Sequence, residues 1–196
     1  DNFRQPKTSY YMFKSFRSPE TDANSIAETG PFVYIANEMT SFSPADVTVF
    51  SNCDKVILTI NKGGRQLVYG RKQTDGMPYL PITFEKAFSY VEDKMMSDTD
   101  NEAGVNQQQD SYLLAEGYIG GEKVAECMKR PARRPERIIL HVDDEGKSLI
   151  ADGSDKVVVV ASVVDKNGQV KRLNNSHIRF SIEGEGRLVG DEQEYA

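Results

Sequence analysis

The chain of 196 residues contains no tryptophan, two cysteines and two histidines. Cysteines that are few and not densely spaced are usually free, half-buried thiols, and we expect this of Cys53 and Cys127. No apolar run approaches the roughly 20 residues of a membrane-spanning helix. The sequence also begins without the basic and apolar segments of a signal peptide, so the compartment has to be inferred from other features.

Acidic residues outnumber basic ones, and the formal net charge is -6. This balance argues against a dominant contact with nucleic-acid phosphates, which requires a basic surface. Hydrophobic residues at 38% and charged residues at 28% are typical of a soluble globular protein with a substantial core. The length fits two β-sandwich domains of about 100 residues each better than one large domain.

Motifs for phosphate binding, dinucleotide binding or a nucleophile elbow are absent from the sequence. His141 and His177 have no cysteine or carboxylate at ligand spacing, so we expect half-exposed strand residues rather than metal ligands. The acidic turns at 143–146, 152–155 and 165–168 lack the spacing of a calcium loop, and we expect solvated turns. We therefore predict no catalytic, cofactor-binding or metal-binding residue in this chain.

Asn37-Glu38 is the one pair that suggests an active site, because glycosidases act with two carboxylates that face each other across a sugar ring. The pair follows the first predicted strand, and an isolated Asn-Glu dipeptide has little specificity. We interpret it as part of a β-sandwich and not as catalytic.

Residues 46–61 show the clearest structural pattern in the chain. Apolar residues alternate at a period of two on both sides of a polar break, which predicts two half-buried strands joined by a turn. In the second strand Val56, Leu58 and Ile60 are expected on the buried side, with Ile57 and Thr59 opposite. Gly63 and Gly64 follow, and we expect the turn to use their freedom to take positive φ.

Other elements of the first half are predicted at 31–36, 66–69 and 81–84 as strands, with a solvated loop at 98–110. A short helix is indicated by apolar residues at helical spacing, which are Phe84, Phe88, Val91 and Met95. The aromatic N-terminal segment is expected to form one or two helical turns opened by Pro6 and Ser9. Residues 18–30 are expected to be a polar connector.

Gly120-Gly121 separates alternating segments at 111–119 and 122–128, which is a strong hairpin signal. Residues 129–137 contain two prolines and five basic residues. This composition suits either a binding site for a phosphate or polyanion, or else a stiff, solvated linker. The absence of interleaved aromatic residues favours the linker.

A second β unit is predicted, with strands at 138–142, 156–164 and 177–183 and a further strand that begins at 187. A turn at 165–168 is expected to place Gly168 at positive φ. Inward-facing residues of the third strand are Ile178, Phe180 and Ile182, alternating with Arg179 and Ser181.

Three parts of the chain resemble the C-terminal end of a glycoside hydrolase family 2 enzyme of the β-galactosidase type. Residues 6–15 (PKTSYYMFKS) resemble the last helix of that family's catalytic barrel. Residues 30–37 (GPFVYIAN) and 46–56 (DVTVFSNCDKV) resemble the first sandwich domain after the barrel. The segments that resemble the immunoglobulin-like domain beyond it are 151–155, 165–168, 180–184 and 188–190.

The resemblance implies an all-β fold of immunoglobulin-like sandwich domains with a short helical remnant of the barrel. The expected domains are 1–29 (remnant and connector), 30–129 (sandwich), 130–137 (linker) and 138–196 (second sandwich, truncated). In this family both catalytic glutamates lie on the barrel, so none is carried over to this sequence, and Asn37-Glu38 only mimics the family's acid/base dipeptide.

The resemblance also implies a parent enzyme that hydrolyses glycosidic bonds in oligo- or polysaccharides, in the periplasm or outside the cell. This piece would be inactive by itself and would support or shape the barrel as its partner, without a cofactor, nucleic acid or membrane. The alternative is a stand-alone adhesin or carbohydrate-binding module of tandem sandwiches. The lack of tryptophan, the usual aromatic platform for sugars, argues against that alternative.

A sandwich of this class needs roughly seven strands, and the pattern after residue 137 supplies only four or five. We therefore expect the chain to dimerise through the second domain, or to show disorder there, because uncovered strand edges offer unpaired backbone groups. A chain extended beyond Ala196 should behave as a better monomer. Light scattering on both chains, with hydrogen exchange across 138–189, measures this. A strictly monomeric, well-protected short chain would contradict the expectation.

Overall fold

The computed structural model describes residues 6–61, 64–70, 76–93, 111–144, 146, 148–190 and 193–195. The chain divides into two compact units, Asp1–Pro131 (unit 1) and Ala132–Ala196 (unit 2). Antiparallel strands dominate both units, so the all-β expectation is confirmed. The four domain ranges derived from the sequence stay a prediction. In the described ranges no helix is both long and apolar enough to cross a membrane.

In the described part of unit 1, one helix and seven strands have both of their ends defined. They are α1 (Thr8–Lys14), β1 (Val33–Ile35), β2 (Val47–Ser51), β3 (Lys55–Ile60), β4 (Gln66–Gly70), β5 (Ile82–Phe84), β6 (Leu113–Ile119) and β7 (Glu122–Lys129). One sheet has the order β1-β2-β5 and the other the order β4-β3-β6-β7, with every pairing antiparallel. The chain changes sheet between β2 and β3, and this arrangement of three and four strands is an immunoglobulin-like sandwich.

The core of unit 1 lies between the two sheets. β2 and β5 contribute Val47, Val49 and Ile82, while β3 contributes Leu58, and all four side chains are fully buried. The burial of alternate residues along β3 confirms the predicted inward face, since Val56, Leu58 and Ile60 are buried and Ile57 is half-exposed. Thr59 departs from the expected alternation because it is also buried, and its hydroxyl accepts a hydrogen bond from Gln66.

The turn after β3 differs from the prediction in which residue takes positive φ. Asn61 has φ 57°, whereas Gly64 does not have positive φ, and Gly63 lies outside the described residues. A side chain at Gly64 is excluded for a steric reason, because a Cβ there would collide with the carbonyl oxygen of Ile60. The asparagine tolerates the left-handed conformation, and the glycine permits the close approach of the backbone.

The hairpin of β6 and β7 is confirmed, and Gly120 and Gly121 have φ of 60° and 91°, as a two-residue primed turn requires. The pairing of β6 with β7 shifts between Gly117 and Tyr118, where Val124 is the extra residue of a bulge in β7. A Cβ at Gly117 would come within 2.5 Å of Cys53 Sγ and Val33 Cγ2, so only glycine lets the β2–β3 turn pack there. Both cysteines are free as expected; Cys127 is half-buried, but Cys53 is fully buried.

The predicted helix across 84–95 is wrong at its beginning. Phe84 belongs to β5, where it pairs with Val47, and Phe88 is buried in the connection that follows. Helical conformation begins at Tyr90 and continues to residue 93, after which the chain is outside the described residues, as are Met95 and the predicted loop at 98–110. The pairing of β5 with β2 outweighed the local helical spacing.

The N-terminal helix is confirmed, although it begins differently from the prediction. α1 begins at Thr8 after Lys7, which makes no side-chain cap, so Ser9 lies inside the helix and does not cap it. The ring of Tyr11 stacks on that of Tyr34 in β1, with centroids 3.8 Å apart and planes 9° apart. A helix of seven residues is too short to be stable alone, and this contact with the sandwich supplies part of what it lacks.

Unit 2 consists of two antiparallel strand pairs. β8 (Arg137–Asp143) pairs with β9 (Val158–Val164), and β10 (His177–Arg179) pairs with β11 (Gln193–Tyr195). The turn at 165–168 is confirmed, with Gly168 at φ 81°.

Two expectations for the end of the chain are wrong. The third strand ends at Arg179, so Ile178 is buried as predicted but Ile182 is exposed. Residues 187–189 form no strand, and Val189 is exposed; the strand that pairs with β10 lies further on, at Gln193–Tyr195. Alternation alone did not reveal where this strand stops, because Phe180 and Ile182 continue the period of two beyond Arg179.

The opposite faces of β3 allow a matched test of the core. Leu58→Ala should lower the free energy of unfolding by about 2–5 kcal/mol, since it removes a fully buried side chain and leaves a cavity. Ile57→Ala, which removes as many atoms from the half-exposed face, should cost clearly less. Urea titration followed by circular dichroism gives both values. Equal midpoints for the two variants would show that the faces have been assigned incorrectly.

Candidate functional site

Asn37 follows β1 and extends its pairing with β2. The backbone N-H of Ala36 donates to the carbonyl oxygen of Thr48 at 2.8 Å. At the next residue the side chain of Asn37 makes the hydrogen bonds to β2 and the residue before it. Its Oδ1 accepts from the Thr48 N-H at 2.6 Å, and its Nδ2 donates to the Asp46 carbonyl at 2.7 Å. The amide thus satisfies backbone groups where the strand pairing ends, which is a structural role.

Glu38 forms an ion pair with Lys129, with 3.0 Å between Oε1 and Nζ. The same ammonium group lies 5.0 Å from the centre of the Tyr34 ring, which favours a cation over its face. A retaining glycosidase holds a second carboxylate about 5 Å from the first. The charge that Glu38 meets here is a lysine, so the geometry does not provide a pair of catalytic carboxylates at this position.

The acidic turns use their carboxylates to bind their own backbone. Oδ1 of Asp152 accepts from the N-H groups of Ser154 and Asp155 and from the Ser154 hydroxyl, at 2.8–3.0 Å. These hydrogen bonds lower the pKa of Asp152, and those from Ser154 have the largest effect. Asp144 likewise accepts from the N-H of Gly146. These two turns are exposed, as predicted, and the described part of the chain contains no group of three or more metal-ligating side chains.

Asp165 contradicts the expectation of a solvated turn, because it is fully buried. Its Oδ1 accepts from the N-H groups of Asn167 and Gln169 at 2.8 and 2.9 Å, and its Oδ2 accepts from the Arg133 N-H at 3.0 Å. Burial raises the pKa of this carboxyl, but the three backbone donors and the charge of Arg133 more than compensate, and the pKa lies below its ordinary value.

The basic stretch at 129–137 is also less solvated than expected. Arg130 lies with its guanidinium 5.2 Å from the centre of the Tyr112 ring, and the chain from residue 130 to 133 is half-buried. Within unit 2, Lys171 Nζ donates to the Ala132 carbonyl at 3.2 Å, and the backbone of Arg133 is bound by Asp165. These contacts hold residues 130–133 against the protein, whereas residues 134–137 are exposed. The two histidines, His141 and His177, are strand residues as expected and are exposed.

Comparison with known proteins places these observations in a family. Residues 140–196 match the family model for glycoside hydrolase family 2 C-terminal domain 5. A β-galactosidase of Thermoanaerobacter pseudethanolicus is 32% identical over 200 residues, which cover 97% of this chain and 24% of that enzyme. A β-galactosidase of Thermoanaerobacterium thermosulfurigenes is 29% identical, over 97% of this chain and 25% of that enzyme. The chain spans about a quarter of the length of these curated relatives.

Solved structures show the same fold. A β-glucuronidase from glycoside hydrolase family 2 superposes with a TM-score of 0.60 at 21% identity, over 92% of this chain and 16% of that one. A β-glycosidase of Bacteroides vulgatus superposes with a TM-score of 0.58 at 20% identity, over all of this chain and 22% of that one.

The fold and the comparisons together define a β-sandwich region that is similar to the C-terminal part of glycoside hydrolase family 2 enzymes. Residues 140–196 are a C-terminal domain of that family, and nearly the whole chain is similar to one region of two β-galactosidases.

Asp165 offers a test of what stabilises unit 2. Asp165→Asn should lower its stability by about 1–3 kcal/mol at pH 7, because the new NH2 group faces a backbone N-H that is left unpaired. Since the folded-state pKa of Asp165 is lowered, its contribution is present above about pH 4 and is lost as the pH falls through the folded-state value. The difference between the native chain and the variant should therefore shrink below about pH 4.

Urea titration at several pH values, combined with hydrogen exchange of β9, measures the effect. Asp144→Asn is the matched control, because it changes an exposed carboxylate that accepts from the N-H of Gly146 in its own turn. If both variants lost the same stability, the buried hydrogen bonds of Asp165 would have no special role.

Proposed function

We propose that this chain is the supporting C-terminal part of a longer enzyme of the β-galactosidase type, which hydrolyses glycosidic bonds in oligo- or polysaccharides, and that the chain alone is inactive. The observation that carries the proposal is the pattern of coverage. Nearly the whole chain aligns with the β-galactosidase of Thermoanaerobacter pseudethanolicus, yet it accounts for only 24% of that enzyme. The remaining three quarters leave room for a catalytic barrel of about 250 residues.

The geometry of unit 1 supports inactivity. Glu38, the carboxylate of the one dipeptide that resembles a glycosidase motif, is paired with Lys129 at 3.0 Å. Its neighbour Asn37 is engaged with the backbone of β2 and of Asp46. Both residues therefore have structural partners where an active site would need a second carboxylate and room for a sugar.

The partner in this proposal is the catalytic barrel, and the surface that it would contact is the aromatic face of α1. Tyr10 and Phe13 are 45% and 61% exposed there. Phe13 contacts Phe16 edge to face, and Tyr10 contacts Tyr11 in the same way, so the exposed rings are held in place by aromatic neighbours. Exposed aromatic side chains in fixed positions are typical of a docking surface.

Location and self-association complete the proposal. The resemblance to family 2 enzymes described under the sequence supports a periplasmic or secreted protein. Exposed apolar residues on β8, such as Leu140 and Val142, support a homodimer formed through unit 2.

Hydrolysis assays test the inactivity directly. Purified chain should release no nitrophenol from nitrophenyl galactosides, glucuronides or mannosides, while the β-galactosidase of Thermoanaerobacter pseudethanolicus serves as the positive control. Turnover that disappeared in Glu38→Gln would overturn the proposal, because it would make that carboxylate catalytic. Retention of the chain on a polysaccharide gel, without turnover, would replace the supporting role with that of a carbohydrate-binding module.

A further inference from the structure

The two ends of the connector between α1 and β1, Ser18 and Gly30, are joined to each other, and we call this pair the loop neck. The N-H of Gly30 donates to the carbonyl oxygen of Ser18 at 3.0 Å, which joins the two ends of the segment 18–30. Glu28 lies within this loop, where its carbonyl accepts from Arg17 at 3.0 Å and its carboxylate pairs with Lys14 at 2.7 Å. The hydrogen bond from Lys14 also lowers the pKa of Glu28. The segment expected to be a loose polar connector is therefore a folded loop that binds back to the end of α1.

Asn52 holds this neck against the sandwich. It lies between β2 and β3, with only 1% of its surface exposed. Its Nδ2 donates to the carbonyl oxygens of Arg17 at 3.1 Å and Gly30 at 2.8 Å, and its Oδ1 accepts from the N-H of Phe32 at 2.7 Å. We call these three hydrogen bonds the Asn52 latch.

An asparagine suits this position because the latch needs two donors and one acceptor on a short side chain. Aspartate would keep the acceptor but offers no donor when ionised, and it would bring negative charge to two carbonyl oxygens. The side chain of Asn52 is buried, so an atom of it that is left unpaired cannot turn to water.

Two further contacts set the direction of α1 once its end is held. The stacked rings of Tyr11 and Tyr34 join the middle of α1 to β1. The ammonium group of Lys14 lies 5.1 Å from the centre of the Phe32 ring. The helix is thus attached at three places, of which the latch is the fully buried one.

We propose that Asn52 is a positioning residue that fixes α1 on the sandwich, so that a domain joined through α1 is held in one orientation. The part that concerns the joined domain rests on the function proposed above. The part that concerns α1 is a property of this chain alone. Its failure would leave the proposed inactivity unaffected, because the test measures backbone exchange and not hydrolysis.

The test is hydrogen exchange, resolved by residue, in the native chain and in Asn52→Asp. The N-H groups of Gly30 and Ser15 report on the loop neck and on the end of α1. Both should exchange roughly tenfold faster in the variant, which has lost the hydrogen bonds to the Arg17 and Gly30 carbonyls. The N-H of Phe32 should stay protected, because aspartate retains its acceptor. Core amides such as that of Ile35 should change least.

Asn37→Asp is the matched control, because it alters another bridging asparagine of unit 1 that contacts no residue of the segment 6–30 through its amide. It should leave the exchange of Gly30 and Ser15 unchanged. Asn52→Ser, whose hydroxyl is too short to join the two carbonyls, is a second variant without a buried charge. In both Asn52 variants trypsin should cut sooner after Lys14 and Arg17.

Three results would overturn the proposal. The first is unchanged exchange of Gly30 and Ser15 in both Asn52 variants, together with unchanged cleavage. The second is an equal acceleration at Ile35, which would make Asn52 a general core residue. The third is faster exchange of Gly30 and Ser15 in Asn37→Asp, which would show that the effect is not specific to Asn52.

Discussion

The burial of one apolar face from each sheet is the constraint on which unit 1 depends. Leu58 and Leu113 from one sheet and Val49 and Ile82 from the other exclude water between the sheets. Every other feature of the unit is arranged around this layer. The polar backbone at the ends of the strands cannot be left unpaired beside it, so side-chain amides such as that of Asn37 complete the pairing.

Regular alternation in β2, β3, β6 and β7 allowed most of the fold of unit 1 to be predicted from the sequence, because the period of two directly reflects burial on one face. The beginning of the predicted helix at Phe84 failed, since pairing between distant strands overrides local spacing. The buried state of Asp165 was missed for a similar reason. Its turn was recognisable, but the donor at Arg133 lies 32 residues away. Asn52 was seen only as part of a polar break, because its partners belong to a segment that shows no pattern of its own.

The same argument applies to the candidate site. The sequence predicts that the Asn37-Glu38 dipeptide follows the first strand of a sandwich, and the structure places it directly after β1. Its actual partners, the β2 backbone and Lys129, required the structure. Asparagines follow three strands of unit 1, which are β1, β2 and β3. Asn37, Asn52 and Asn61 each have an amide that bonds to groups distant in sequence. These amides fix the ends of the strands to the segments beside them.

The packing of Cys53 against Gly117 has a consequence for the chemistry of the protein. A thiol reacts as a thiolate that a reagent can reach, and the Cys53 sulfur is buried beside Gly117 of β6 and Val33 of β1. Its modification requires the β2–β3 turn to separate from β6. The rate at which a thiol reagent labels Cys53 under native conditions thus measures how often the two sheets open, and Cys127, which is half-buried, provides the more accessible reference in the same molecule.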